Sequence, residues 1–297
     1  MQRTALSVLP PRGRVILTAL PVMIVLALTL WWTASEQPQA MQMRPITEDS
    51  AQALASLFEE AGYAWAPTGP VPRLALQQLP SDMADLTVDG RKALFFASIA
   101  PLVLAENERI RQERARLEQL LSRSARSPAE QAEFGALADR YAVSGDLTAA
   151  QTRQLLLQRV DTIPLGLALA QAAKESGWGT SRFVQQGRNL FGVWTWDESQ
   201  GMVPAGRMDG ATHLVRVFPD LQASVRNYLH MLNTGAAYAS LRRARAELRA
   251  AGEPLDPLLL ADGLKEYSER GEAYVQDVRA MILNNELHQL GKLTLAP

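Results

Sequence analysis

The sequence predicts an α+β protein that is mainly α, with a small β lobe set among helices and one apolar helix ahead of the folded part. Three observations carry this reading. Residues 15–32 are eighteen consecutive residues without a charge, barely one bilayer span. From residue 89 onward, apolar residues recur at helical spacing and opposite charges sit three or four positions apart. Residues 190–217 break that pattern with aromatic and β-branched residues separated by glycines, which suits short strands.

Composition limits the functions available. The chain has 297 residues with 30 basic against 31 acidic side chains, so no global positive field recruits nucleic acid. Cysteine is absent, which excludes disulfides, thiol nucleophiles and thiolate metal sites. The three histidines, His213, His230 and His288, lack the spacing of metal ligands, and no cofactor or metal is expected.

The apolar run is preceded by Arg3, Arg12 and Arg14, and the next basic residue is Arg44. This asymmetry keeps the N-terminus cytoplasmic and exports the rest. Trp31 and Trp32 then fall at the outer interface, and Pro21 is tolerable in a membrane helix. A cleaved signal peptide is the competing reading, but the run exceeds a usual signal core and no Ala-x-Ala site follows it. Residues 1–34 are therefore expected to be a cytoplasmic N-terminus and transmembrane anchor.

Residues 35–45 are polar with two prolines and read as a stalk. Residues 46–62 look helical, after which Pro67, Gly69, Pro70 and Pro72 interrupt any regular element, and Pro80, Ser81 and Asp82 mark a turn or helix start. The block 35–88 is thus expected to be stalk and extended chain. A helical region, 89–160, follows. It contains an apolar helix over 91–105 around Pro101, a charged stretch over 106–122 read as a solvated face, a helix from Pro128 through Tyr141, and one capped by Thr148 running to about Val160. The last block, 161–290, opens with Pro164 as a first-turn proline of an Ala/Leu-rich helix over 165–174. Further helices are expected over 221–232, 237–251, 258–265 and 273–290.

The motif with most chemistry in it closes the Ala/Leu-rich helix: Gln171-Ala172-Ala173-Lys174-Glu175-Ser176-Gly177-Trp178-Gly179. Gly177 can take the left-handed closing conformation. Three, four and seven positions before Glu175 lie Ala172, Gln171 and Ala168, a small and mostly apolar face that packs close and desolvates a carboxyl. Desolvation and the negative end of the helix both raise a carboxyl pKa, leaving a protonated acid near neutral pH. An ion-paired glutamate at a helix end is the plainer reading of the same residues. Trp178 either lines a cleft or fills the core.

That motif, followed by Asn189-Leu190-Phe191-Gly192, resembles the glucosaminidase domain of glycoside hydrolase family 73. Further blocks resemble the Bax branch of that family: Phe218 to Val225, Leu232-Asn233-Thr234, Ala237-Tyr238, Gly263-Leu264, Tyr267-Ser268, Tyr274 and Asn284, with Pro101 to Ile110 upstream. The resemblance implies a lysozyme-like catalytic domain over 161–290, with a sugar cleft between a helical lobe and the β lobe. It implies peptidoglycan glycan strands as substrate and cleavage between N-acetylglucosamine and N-acetylmuramic acid. A single-pass protein of the bacterial inner membrane follows, with the catalytic domain in the periplasm or at the outer face. By position Glu175 is the catalytic acid, Tyr267 the aromatic residue beside it, and Tyr274 a further candidate. Asn189 and Phe191 either shape the cleft floor or merely form the turn that joins the lobes. Trp194 and Trp196 are either sugar-stacking rings or strand residues packed on the helices. A second carboxylate has no decisive match; Asp197, Glu198 and Asp209 are the candidates, and without one the substrate's acetamido group can serve. A lytic transglycosylase and a catalytically silent wall-binding protein are the rival readings. The Asn-Leu-Phe-Gly block favours the glucosaminidase over the transglycosylase, whose members generally show a Gly-Leu-Met-Gln type of block there.

Overall fold

A computed structural model describes residues 42–204 and 212–297. The apolar run at 15–32, and with it the expected anchor, lies outside the described residues, as does Asp209. Among the described residues no helix is long and apolar enough to cross a membrane.

The fold begins with strand β1 (Arg44–Ile46), helix α1 (Ala51–Glu60) and strand β2 (Leu74–Leu76), the two strands pairing in parallel with Ile46 opposite Leu76. Ser50 caps α1 by accepting from the Ala53 amide at 3.1 Å, and Leu54 and Phe58, one turn apart, are buried. Just before β2, the Val71 amide donates to Thr294 O and its carbonyl accepts from the Ala296 amide, each at 2.8 Å. Arg73 grips Glu108 with both guanidinium prongs at 2.8 and 3.1 Å. The segment expected as stalk and extended chain is therefore folded from Met43 onward and packed into the main core. The prolines and glycines of 67–72 punctuate short strands, and strands of three residues are too brief to leave a periodic signature.

Helix α2 (Val88–Ser122) runs for 35 residues as a single element through Pro101. Proline there removes one backbone hydrogen bond. Continuous burial on both sides, with every residue from Leu94 to Leu104 buried, holds the helix across the gap. Its first half belongs to the main core, whereas Leu117 and Leu120 join Phe134 and Leu137 of α3 (Pro128–Arg140) and Leu156 of α4 (Ala150–Arg159) in a second core. Helix α3 opens on a capping box formed by Ser127 and Glu130. The expected cap of α4 is not made: Thr148 turns its amide and hydroxyl to Asp146 Oδ1, at 2.8 and 2.6 Å, and the helix starts at Ala150.

The charged stretch of α2 is not wholly a solvated face. Glu106 is 3% exposed and accepts from Arg109 at 2.8 Å, Gln222 at 2.9 Å and Arg226 at 3.0 Å. Burial pushes its carboxyl up, but the two arginines outweigh burial and hold it below the usual range. Beside it, Asn107 donates to Ile163 O at 2.7 Å and accepts from Ile163 N at 3.0 Å, pinning the entry to the next helix.

That helix, α5 (Leu165–Ser176), is buried on nearly every side and forms the centre of the molecule. Helix α6 (Arg182–Gly187) leads to the β lobe of β3 (Trp194–Thr195), β4 (Gly201–Met202) and β5 (Leu214–Arg216), an antiparallel sheet in the order β3-β5-β4. Around α5 follow α7 (Leu221–Thr234), α8 (Ala239–Ala251), α9 (Pro257–Ala261) and α10 (Glu272–Asn284). Besides 46–62, which is helical only as α1 over Ala51–Glu60, two expected helices are shorter than their patterns. The one over 258–265 tightens into a 3-10 turn at Asp262–Tyr267, and the one over 273–290 ends at Asn284 before a 3-10 turn at Leu287–Lys292.

The connection between α4 and α5 is held by arginines from two other helices. Arg114 of α2 donates to Leu157 O and Val160 O at 2.7 and 3.0 Å. Arg245 of α8, 1% exposed, donates to Gln158 O, Asp161 O and Thr162 O. Asp161, 3% exposed, answers these charges and accepts two bonds from Arg249 at 2.9 and 3.1 Å.

Candidate active site

Glu175 sits in the last turn of α5, half-buried. Gly177 closes the helix in the left-handed region at φ 59°. Trp178 and Gly179 stay there too, at 60° and 81°. For a tryptophan that conformation costs about 1–2 kcal/mol. It is held by ring packing against Phe95 and Phe96, with centroids at 6.1 and 5.1 Å, and by Lys92 over the ring at 5.2 Å. Trp178 therefore packs against the core, and the chain after it turns back on the end of α5, where the Ser181 amide donates to Ser176 O at 2.9 Å.

A one-way chain of hydrogen bonds ends on the carboxyl. Tyr228 Oη donates to Gln171 Oε1 at 2.5 Å, Gln171 Nε2 donates to Tyr274 Oη at 2.9 Å, and Tyr274 Oη donates to Glu175 Oε1 at 2.8 Å. Burial first, then the charge of Glu175, pushes the Tyr274 phenol up, so it remains protonated and serves as a donor. Because Oε1 accepts from Tyr274, a proton carried by this carboxyl belongs on Oε2. Opposite Oε2 is Gly192, whose φ of 65° favours glycine and where a Cβ would lie 3.6 Å from that oxygen.

Burial raises the Glu175 pKa; the Tyr274 hydrogen bond and the charge of Lys174 pull it down without cancelling that rise. Lys174 is itself drawn off to Asp277 at 2.8 Å, an aspartate shared with Arg270 at 2.7 Å.

The other residues singled out from the sequence fall into three settings. Tyr267 stacks on Tyr274 with ring centroids 5.4 Å apart and donates to Phe191 O at 2.8 Å, so of the two tyrosines it is Tyr274 that touches the Glu175 carboxyl. Phe191 is buried and stacked on Tyr228 at 3.9 Å. Asn189 is 1% exposed, with its amide donating to Val193 O and Arg216 O and its oxygen accepting from Val193 N. These polar groups are all engaged in forming the turn. Trp194 and Trp196 are 55% and 69% exposed on the β lobe, and His213 stacks on Trp194 at 4.3 Å. Asp197 caps its own 3-10 turn, accepting from Ser199 Oγ at 2.6 Å and Gln200 Nε2 at 2.7 Å; its bonds to Ser199 hold its carboxyl below the usual range. Glu198 is exposed on that turn. Among the described residues no cluster of three or more histidines and acids is placed to hold a metal.

Sequence reasoning missed Gln171, Tyr228 and Gly192 as parts of the site. Gln171 carried a signal, being an amide one turn before Glu175 on an otherwise apolar helix.

Residues 136–287 match the family model "Glucosaminidase", described as mannosyl-glycoprotein endo-beta-N-acetylglucosaminidase. Protein bax of Escherichia coli strain K12 is 34% identical over 200 residues, spanning 66% of this chain and 70% of that protein. No solved structure matches the chain. The family match takes in Glu175, Gly192 and Tyr274 together with the β lobe, and on that match and that relative the chain belongs to the glucosaminidase family of glycoside hydrolases.

Proposed function

We propose that this protein hydrolyses the bond between N-acetylglucosamine and N-acetylmuramic acid in peptidoglycan, with Glu175 as general acid. The observation that carries the proposal is a desolvated carboxyl with one oxygen fixed by Tyr274 and the other facing Gly192. In the reaction Glu175 gives its Oε2 proton to the glycosidic oxygen as the C1–O bond breaks, and recovers a proton from water afterwards. Developing positive charge at C1 is met by Glu198, by Asp209 or by the substrate's own acetamido oxygen; Asp197 is already consumed in its turn. Trp196 offers an open ring on which a sugar face stacks, and Trp194 offers the face that His213 leaves uncovered.

The test is mass analysis of fragments released from purified peptidoglycan. Products ending in a hydrated N-acetylglucosamine support the proposal. Anhydro ends would establish a transglycosylase instead, and no release would leave a binder.

Tyr274→Phe should slow turnover about tenfold, the worth of one hydrogen bond of about 1.4 kcal/mol in the transition state. It should also move the alkaline limb of the rate profile to higher pH, because the lost hydrogen bond had been lowering the Glu175 pKa. A limb that stays in place would show that Tyr274 does not touch the reacting carboxyl.

A further inference from the structure

Beside the β lobe lies a groove of about 620 Å³, walled by α2 and α3 on one side and by β5 and α7 on the other. Four arginines line it: Arg109, Arg140, Arg216 and Arg226. Two carboxylates answer them, Glu106 pairing with Arg109 and Arg226, and Glu113 with Arg109 and Arg140. Arg216 makes no direct ion pair among the described residues; its charge reaches the Asp197 carboxyl and helps lower it, but that carboxyl is held by Ser199 and Gln200. Its guanidinium lies over the Phe218 ring at 5.2 Å and donates to Gln200 Oε1 at 3.2 Å. In a chain whose net charge is −1, this positive excess is local. A planar, weakly hydrated guanidinium resting on an aromatic ring is preorganised to take a carboxylate with two parallel hydrogen bonds.

The groove is tied to the acid by one turn of backbone. The Arg216 amide donates to Val193 O at 2.9 Å, and its carbonyl accepts from Asn189 at 2.8 Å. Val193 directly follows Gly192, the residue against Glu175 Oε2. The same Asn189–Val193 turn thus lies beside Glu175 at Gly192 and bonds to the arginine strand at Val193.

We infer that this groove binds a carboxylate on the peptide branch of the glycan substrate, so that peptide-bearing strands are preferred over bare ones. The inference rests on the peptidoglycan reading above. The N-acetylated sugars of the strand are uncharged once the peptide occupies the lactyl carboxyl, so the anionic groups of such a substrate lie on its branches. A branch of a few residues reaches on the order of 10 Å from the strand.

Two measurements on the purified chain test this. Calorimetry with a soluble branch peptide should give binding that weakens with added salt, and Arg216→Glu should weaken it at least tenfold, about the loss of one charge-assisted contact. On peptide-bearing strands Arg216→Glu should raise KM about tenfold with kcat unchanged, and on strands stripped of peptide it should match the wild type. Should Arg216→Glu melt well below the wild type, Arg216→Gln replaces it in both arms, with a smaller change in the same direction. Equal losses on both strands, no change on either, or tighter binding of a glycerol phosphate oligomer than of the peptide would each overturn the assignment. If the wild type cleaves neither strand, the glycosidase reading fails while peptide binding still judges the groove.

Discussion

Glu175→Gln is expected to lower turnover on peptidoglycan by about a hundredfold to ten-thousandfold, the usual contribution of a general acid. Loss of activity alone would not distinguish an acid from a structural carboxylate, so stability must be measured beside rate. Burial raises the folded-state pKa of Glu175, which means the folded protein holds its proton more tightly than the unfolded chain does. Ionising it therefore destabilises the fold as pH rises through that pKa. The amide does not ionise, and Tyr274 can still donate to its oxygen. Glu175→Gln should melt at the same temperature as the wild type or slightly higher near and above neutral pH, and the gain should vanish below the usual carboxylate range. Retention of more than about a tenth of the turnover would sink the assignment. A large fall in melting temperature would show that the carboxylate is structural.

The largest effect on stability is expected at Asp161, far from any proposed chemistry. Asp161→Asn keeps the volume and removes the charge that balances Arg245, which is 1% exposed, along with Arg114 and Arg249. Burial lowers Arg245 to about 10, so it is still charged at neutral pH. Leaving a buried charge without its partner typically costs about 3–5 kcal/mol, on the order of 10 °C in melting temperature for a body of this size. Burial works to raise the Asp161 carboxyl, but the Arg249 hydrogen bonds and the surrounding arginines set it below the usual range. A depressed folded-state pKa gives stability that is present above the unfolded pKa and lost as pH falls through the folded one. The gap between wild type and Asp161→Asn should therefore be full near neutral pH and narrow in acid. A melting temperature unchanged by the substitution at pH 7 would show that the arginines there are satisfied by backbone carbonyls alone.

The helix that carries Glu175 and its left-handed close at Gly177 were legible in the sequence because both are local: alanine and leucine favour the helix, and glycine accepts the turn. The β lobe was legible for the same reason. The order of the tyrosines was not. Tyr267 and Tyr274 are neighbours in chain and in space, and only the stacking of their rings decides which hydroxyl reaches Oε1 and which turns back to Phe191. Nor could the pattern reveal that Glu106 is buried, since its partners Gln222 and Arg226 come from α7. Of the folded arm of residues 43–80 only the helix was legible; its strands are three residues long and one return contact lies at the other end of the chain, where Val71 meets Thr294 and Ala296.

The long helix α2 sets where the molecule can be divided. The family match starts at residue 136, inside α3, yet α2 ends at Ser122 and so lies wholly before that point. A fragment cut at the match would keep Glu175 and all of α5 but lose Phe95 and Phe96, the rings that hold Trp178 in its left-handed turn. It would also lose Asn107, which fixes Ile163 at the start of α5, and Arg114, which fixes its approach. The region recognisable by family likeness is thus smaller than the unit that holds Glu175 in place, and α2 supplies contacts at both ends of α5 from outside its boundary.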